Sequence, residues 1–290
     1  MSRNKIQTAK RDKYKAGLGG NSLCGRCAPQ SLRQIVMLSR TLLLFSFAVL
    51  CIAVIPRCAR AQAGPPLLTD DPETPDKGHW EINLVLTLKQ TRDGRLFGAP
   101  LLDANYGLAE RVQIKAEVPW LVRQDRNGGR TQSGIGSTNI GIKWRFIDKE
   151  RHGFSMSIYP QLEFKTSAAS VRKGLIEPGA ELRLPVEISR EYGKFAIDGE
   201  VGYQLVQGKK DEWIYGLAIE RKVSKRLELV GEVHGESTDD LNDNKIVFNV
   251  GGRYELNKRY TILFSSGRGL RHASGDVPTW IAYTGLQLHF

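Results

Sequence analysis

Beyond residue 63 the chain has no cysteine; Cys24, Cys27, Cys51 and Cys58 all precede that point. A disulfide scaffold or a cysteine-ligated metal site is therefore excluded from the remainder. No apolar run reaches the ~20 residues that a spanning helix requires. An excess of one charge is missing too. The formal charge is +11, but residues 1–63 hold 11 Lys+Arg against one Asp, which leaves 31 basic and 30 acidic side chains in the rest. The later chain therefore offers no broad basic face, and no nucleic-acid partner is expected.

Catalytic and phosphate-binding motifs are also absent. There is no His-x-x-His pair, glycine-rich phosphate loop or Gly-x-Ser-x-Gly elbow. The histidines after residue 63 are His79, His152, His234, His272 and His289. His234 falls beside Glu232 without a serine in its strand to complete a nucleophilic set. No catalytic residue, cofactor or resident metal is expected. The acids Asp70, Asp71, Glu73 and Asp76 with His79 have enough oxygens for a hard cation but lack the spacing of a dedicated calcium loop. Their alternative roles are to solvate and cap the periplasmic end of the protein or to fold back and narrow a pore.

The stretch TLLLFSFAVLCIAVIP, 16 residues at 41–56, carries no charge and is followed by RCARAQAGPP. Its length suits a secretory h-region, and Ala61 and Ala63 supply an Ala-x-Ala site, so cleavage is expected after Ala63. The 36 residues before Met37 are long for an n-region, whereas MLSRTLLLF from Met37 has ordinary proportions. Residues 1–63 thus read as an extension plus signal peptide with its true start at Met37. The competing readings are an uncleaved anchor or a buried helix.

What the rest of the chain does have is alternation. After the Pro- and Asp-rich lead-in at 64–78, expected in the periplasm, apolar and polar residues alternate with period two. In HWEINLVLTLKQ, Trp80, Ile82, Leu84, Leu86 and Leu88 share one face; in NIGIKWRF, Ile140, Ile142, Trp144 and Phe146 do. Twelve such segments can be counted, and none shows the three-and-four spacing of a helix. Short links (GLAER, IDKERHG, SREYGK, KVSKR, ELNKR) alternate strictly with mostly longer ones (TRDGRLFGA, RQDRNGGRTQSG, TSAASVRKGLIE, QGKKDE, GESTDDLND, SGRGLRHASGD). That is the order required of up-and-down strands whose two chain ends lie on the short-turn side.

Two architectures use such strands. A secreted soluble sandwich or barrel buries the apolar face, whereas an outer-membrane barrel turns it to lipid and lines or plugs its lumen with the polar one. Three features favour the second. Aromatics sit toward strand ends (Trp80, Trp120, Phe146, Phe154, Phe164, Trp213, Trp280), as interfacial girdles require. Large opposite charges occupy the polar faces, and glycines within strands permit the bending of a closed sheet. The fold class expected is an all-β, closed antiparallel up-and-down transmembrane β-barrel over 79–290, about 12 strands, with both termini periplasmic. A chain that stops on an alternating segment at Phe290 would stop where the sheet closes on its first strand, because an open edge in lipid leaves backbone groups unpaired.

The stretch GPPLLTDDPETPDKGHWEINL at 64–84 resembles the start of a family of Gram-negative outer-membrane barrels labelled as transporters, under the heading "meta-pathway of phenol degradation". The matching positions are Thr69, Asp70, Asp71 and Pro72, then Gly78, His79, Trp80 and Glu81, and the terminal aromatic Phe290. The resemblance implies an outer-membrane location, lipid and lipopolysaccharide around the barrel, and recognition of the last strand by the barrel-assembly machinery. It fixes no solute, and the residues before Met37 depart from the family pattern.

On this reading the inward charges are the functional candidates: Arg111, Lys115, Glu117, Lys143, Arg145, Glu163, Lys165, Glu181, Arg183, Asp198, Glu200 and Arg253. Paired across neighbouring strands, they would fill and rigidify a small barrel. On opposite walls, they would set a transverse field across a water column and bias which solutes pass. The expected function is a channel or transporter for small solutes, with aromatic or hydrophobic metabolites as candidates. The alternative is a closed structural or binding barrel. Oligomeric state is not legible.

Overall fold

The computed structural model describes residues 64–126, 129–272 and 277–290. The expected extension, signal peptide and cleavage point all lie outside these residues. The chain folds into β1 (Trp80–Gln90), β2 (Gly94–Ala109), β3 (Val112–Asp125), β4 (Gln132–Ile135), β5 (Thr138–Ile147), β6 (Ser155–Ile158), β7 (Gln161–Phe164), β8 (Ala180–Tyr192), β9 (Phe195–Val206), β10 (Glu212–Lys222), β11 (Leu227–Thr238), β12 (Asn244–Asn257), β13 (Tyr260–His272) and β14 (Trp280–His289). Two pairs are halves of single wall strands. β4 and β5 both pair with β3, and β6 and β7 both pair with β5 and β8. The second break falls at Tyr159 and Pro160, where proline has no N–H to give to a ladder. The wall therefore has twelve strands, as the alternation predicts.

Every neighbouring pair is antiparallel, and the sheet closes. β1 pairs with β14 from Glu81 opposite His289 to Gln90 opposite Trp280. Trp80 and Phe290 exchange both backbone hydrogen bonds, at 3.1 and 3.0 Å. Closure leaves no strand edge, the condition for a sheet to stand in hydrocarbon.

The period-two pattern translates directly into two faces. Leu86, Ile142, Val201 and Leu217 point outward and stay exposed, Leu217 at 55%. The interior holds polar side chains, among them Asn83, Lys143, Glu187, Asp198, Glu220 and Glu232, each 2% exposed or less. An outward apolar wall around a polar interior is the inverse of a soluble core. Together with closure it places the barrel in a membrane, and the architecture is that of outer-membrane barrels. The aromatics form two belts: Trp80, Trp144 and Phe146 near the tight turns, and Trp120, Trp213 and Trp280 near the other rim, all exposed.

Tight links collect at one rim. They include Glu110 and Arg111, the helical turn Lys149–His152, Gly193 and Lys194, residues 223–226, and Lys258 and Arg259. The first strand starts and the last strand ends at this rim. The opposite rim carries the longer links, with corrections to three of them: SGRGLRH of SGRGLRHASGD belongs to β13, the ends of RQDRNGGRTQSG belong to β3 and β4, and TRDGRLFGA is not a loop. β2 already begins at Gly94, which leaves 91–93 as the connection. Thr91 donates to the Gly94 carbonyl at 2.9 Å, and Leu96 and Phe97 continue the ladder opposite Lys89 and Leu88. Residues 165–179 include a short helix, Ala168–Arg172. Its Ser170 and the following Leu175 are buried against Gly134, which faces inward opposite Leu121. This link folds into the mouth of the barrel.

Candidate functional site

Inside the barrel lies the amino-terminal segment itself. Residues 64–76 enter at the tight-turn rim and cross the lumen, and the wall is cut to receive them. Leu67 packs on Ala218 and Val230, an apolar patch flanked by the inward acids Glu220, Glu228 and Glu232. Next to it, Thr69 is fully buried, and a Cβ placed on Gly216 would lie 2.3 Å from its hydroxyl oxygen. Glycine at 216 is what admits the threonine.

Polar contacts fix the segment from Gly64 to Glu73. Arg253 donates to the carbonyls of Gly64 at 3.2 Å and Pro65 at 2.9 Å, and Ser265 donates to that of Pro66 at 2.8 Å. The Glu232 carboxylate accepts from the backbone N–H groups of Leu68 at 2.8 Å and Thr69 at 2.7 Å, and Glu200 accepts from that of Asp70 at 3.0 Å. These carboxylates satisfy donors that an irregular backbone would otherwise leave unpaired in a water-poor interior. On the opposite wall the Lys143 ammonium contacts Asp70 at 2.9 Å and Glu187 at 3.2 Å, and also donates to the Asp71 carbonyl. Arg145 pairs with Glu73, which also accepts from Ser155 at 3.2 Å and lies 3.3 Å from Lys149.

Asp70 and Glu73 of the lead-in are thus taken up by lysine and arginine of the wall, and the Asp71 carboxylate accepts from the backbone N–H of Glu73. Of the two roles open to the segment, folding back into the pore is the one observed. Pro72 is buried with it.

The twelve expected pore-lining residues divide by depth. Lys143, Arg145, Glu200 and Arg253 meet the docked segment. Arg253 is also held by Glu220 at 2.7 Å and Glu228 at 3.2 Å. Lys115 and Glu117 line the interior as a pair, 2.9 Å apart, with Asp103 3.7 Å from the lysine. Asp198 is fully buried, and neither of its carboxylate oxygens has a hydrogen-bond partner among the described residues. Toward the long-loop rim, Glu181 accepts from Gln204 at 2.8 Å, faces Glu163 across the ladder and neighbours Arg183.

Two of the twelve are not in the wall. Arg111 sits in the β2–β3 turn with positive φ and pairs with Asp148 at 2.8 Å, at the tight-turn rim. Lys165 lies past the end of β7 and is exposed. Both flank strands rather than belong to them, and alternation loses its meaning where the ladder ends.

Other functional residues carry no charge pattern to reveal them. Asn83 donates to Asp103 at 3.0 Å, Asn105 donates to the same carboxylate at 3.3 Å, and Gln113 donates to Asn105 at 2.7 Å. Asp103, Asn105 and Gln113 of this ladder line a central cavity of about 50 Å³ beside Asp70, Asp71 and Tyr159. That volume holds one or two waters and no larger solute. Between the segment and the tight-turn rim opens a vestibule of about 1090 Å³ edged by Glu73, Lys149, Lys222, Arg226, Glu255 and His289. At the other rim, outside the membrane, hydrogen bonds from Lys210, Thr238 and Asn242 hold the Asp240 carboxyl well below the usual carboxylate range.

A family model described as "Putative MetA-pathway of phenol degradation" matches residues 66–286. No curated protein matches the chain. Among solved structures, the COG4313 outer membrane channel from Pseudomonas putida F1 is similar at 13% identity and a TM-score of 0.64, over 79% of this chain and 100% of that one. The KdgM porin follows at 13% identity and 0.52, over 72% and 99%. The NanC porin is similar at 8% identity and 0.50, over 72% and 98%. At these identities the likeness is one of fold.

Proposed function

The chain belongs to that phenol-degradation family, and from this premise we propose that it is an outer-membrane channel for small solutes whose bore is filled by its own residues 64–76. The observation that carries this reading is the identity of the filler. In a barrel that is closed for structural reasons, wall side chains meet across the axis. Here the polar wall is spanned instead by a separate, irregular segment held by side-chain contacts, and such a filler can be withdrawn without unfolding the sheet. Withdrawal would leave a lumen lined by both signs of charge, with Lys143, Arg145 and Lys115 facing Glu200, Glu232 and Glu220 across the bore, a field that selects among small polar and ionic solutes. The family description suggests aromatic metabolites as the cargo class. We place the tight-turn rim in the periplasm, since short turns mark that side in barrels of this type, and take lipopolysaccharide and the barrel-assembly machinery as its other partners.

The small central cavity favours a second reading, a permanently closed barrel. Single-channel recording separates the two: the full barrel should open intermittently, and a variant lacking residues 64–76 should conduct steadily at a higher level. A folded deletion variant that stays silent at all voltages and salt concentrations would favour the closed barrel.

A further inference from the structure

The outward row at the tight-turn rim is free of charge on most strands: Trp80, Trp144, Leu229, Tyr254, Ile262 and Leu288 occupy it. Two neighbouring positions break the rule. Arg190 on β8 follows the outward Ile188, and Arg221 on β10 follows the outward Leu217 and Ile219. The acids beside them in sequence belong to the other face, with Glu191 held by Lys149 at 2.8 Å and Glu220 by Arg253 at 2.7 Å. Among the described residues neither outward guanidinium has an ion-pair or hydrogen-bond partner. Each lies over an aromatic ring, Arg190 5.0 Å from the centroid of Tyr192 and Arg221 5.1 Å from that of Phe195. Tyr192 and Phe195 are opposite each other in the β8–β9 ladder, and Phe195 is opposite Arg221 on β10.

An outward arginine is costly at the bilayer midplane and nearly free at the interface, which is the level these two occupy. There a guanidinium needs an anion, and its planar fork fits two oxygens of a phosphate. Stacking on the rings fixes where the forks point. Arg190 stands level with Ile219, two residues short of Arg221, which sets the two backbones about 12 Å apart across β9. The reach of Arg190 over Tyr192 brings its guanidinium to the level of Arg221, and two extended arginines can close the remaining gap on one phosphate. We propose that Arg190 and Arg221, seated on Tyr192 and Phe195, bind the phosphodiester of an anionic glycerophospholipid in the leaflet bordering the tight-turn rim. This rests on the barrel spanning a membrane and not on whether it conducts.

The test uses the full folded barrel in phosphatidylcholine vesicles doped with spin-labelled phosphatidylglycerol or spin-labelled phosphatidylcholine, comparing the motionally restricted fraction of each. Wild type should prefer phosphatidylglycerol about fivefold for each engaged arginine. R190Q/R221Q should lose the preference while keeping its heat-modifiable folded band, and R268Q, on the outward row near the other rim, should keep it. Absence of preference in wild type, or an unchanged preference in R190Q/R221Q, overturns the proposal. So does loss of the preference on adding excess inorganic phosphate, or displacement by lipopolysaccharide in place of phosphatidylglycerol.

Discussion

Lys143, in the middle of β5, holds its ammonium 2.9 Å from Asp70, a residue 73 positions earlier that belongs to no strand. Glu187 lies 3.2 Å away on the other side, and the Tyr159 ring 4.4 Å away. Removing a partner from a buried pair costs more than the pair is worth, because it strands the opposite charge. Lys143→Met should therefore cost about 3–5 kcal/mol of docked-state stability. It should raise open probability in bilayer recordings and lower the temperature at which the folded band is lost on unboiled gels. A variant with unaltered gating and heat resistance would show that Lys143 does not hold the segment.

Arg253 is the corresponding anchor at the start of the segment. Arg253→Ala removes the donors to Gly64 and Pro65 and leaves Glu220 and Glu228 without their cation. A cysteine introduced at Thr69 should be protected from a water-soluble maleimide in the parent barrel and labelled when Arg253→Ala is added. Equal labelling in both backgrounds would mean that Arg253 does not control docking.

Arg145 and Arg111 were indistinguishable as inward charges in the sequence, yet the structure separates them. Arg145→Ala should alter conductance, since it removes the guanidinium partner of Glu73 and leaves only Ser155 and Lys149 to hold that part of the segment. Arg111→Ala should leave conductance unchanged and affect only the rim contact with Asp148. Conductance changes of the same size in both would place Arg111 in the conduction path after all.

The outward face makes its own prediction. Leu217, exposed at mid-wall, should tolerate Leu217→Ile, whereas Leu217→Arg should lose about 2–4 kcal/mol in equilibrium unfolding from lipid vesicles. A neutral Leu217→Arg would mean that this face does not meet acyl chains.

Much of the wall was legible because a strand writes its two faces into alternate residues. All twelve segments were visible, and the tight and long links fell in the right order. Tyr159–Pro160 could not show itself as a break, since Phe154, Met156, Ile158, Leu162 and Phe164 keep the alternation running through it. β2 ran further than expected because GRLFGA is too rich in glycine to display a face. The docked segment was open to two readings for a different reason: it has no period, and its partners lie far away, Ser265 being 199 positions from Pro66. One signal was available. Gly216, Ala218 and Val230 are small or apolar beside the inward acids Glu220, Glu228 and Glu232, which implies something apolar facing them, and Leu67 is what Ala218 and Val230 meet. Asn83, Asn105 and Gln113 carry no charge, so alternation alone does not set them apart from the other polar residues that face inward.

The most direct test uses the absence of cysteine after residue 63. A Cβ at Gly216 falls 3.1 Å from that of Thr69, near enough for Thr69→Cys/Gly216→Cys to cross-link after slight adjustment. Oxidised, this variant should stay shut in single-channel recordings, and adding reductant should restore openings. A cross-link that never forms, or identical conductance before and after reduction, would contradict a removable filler in the lumen.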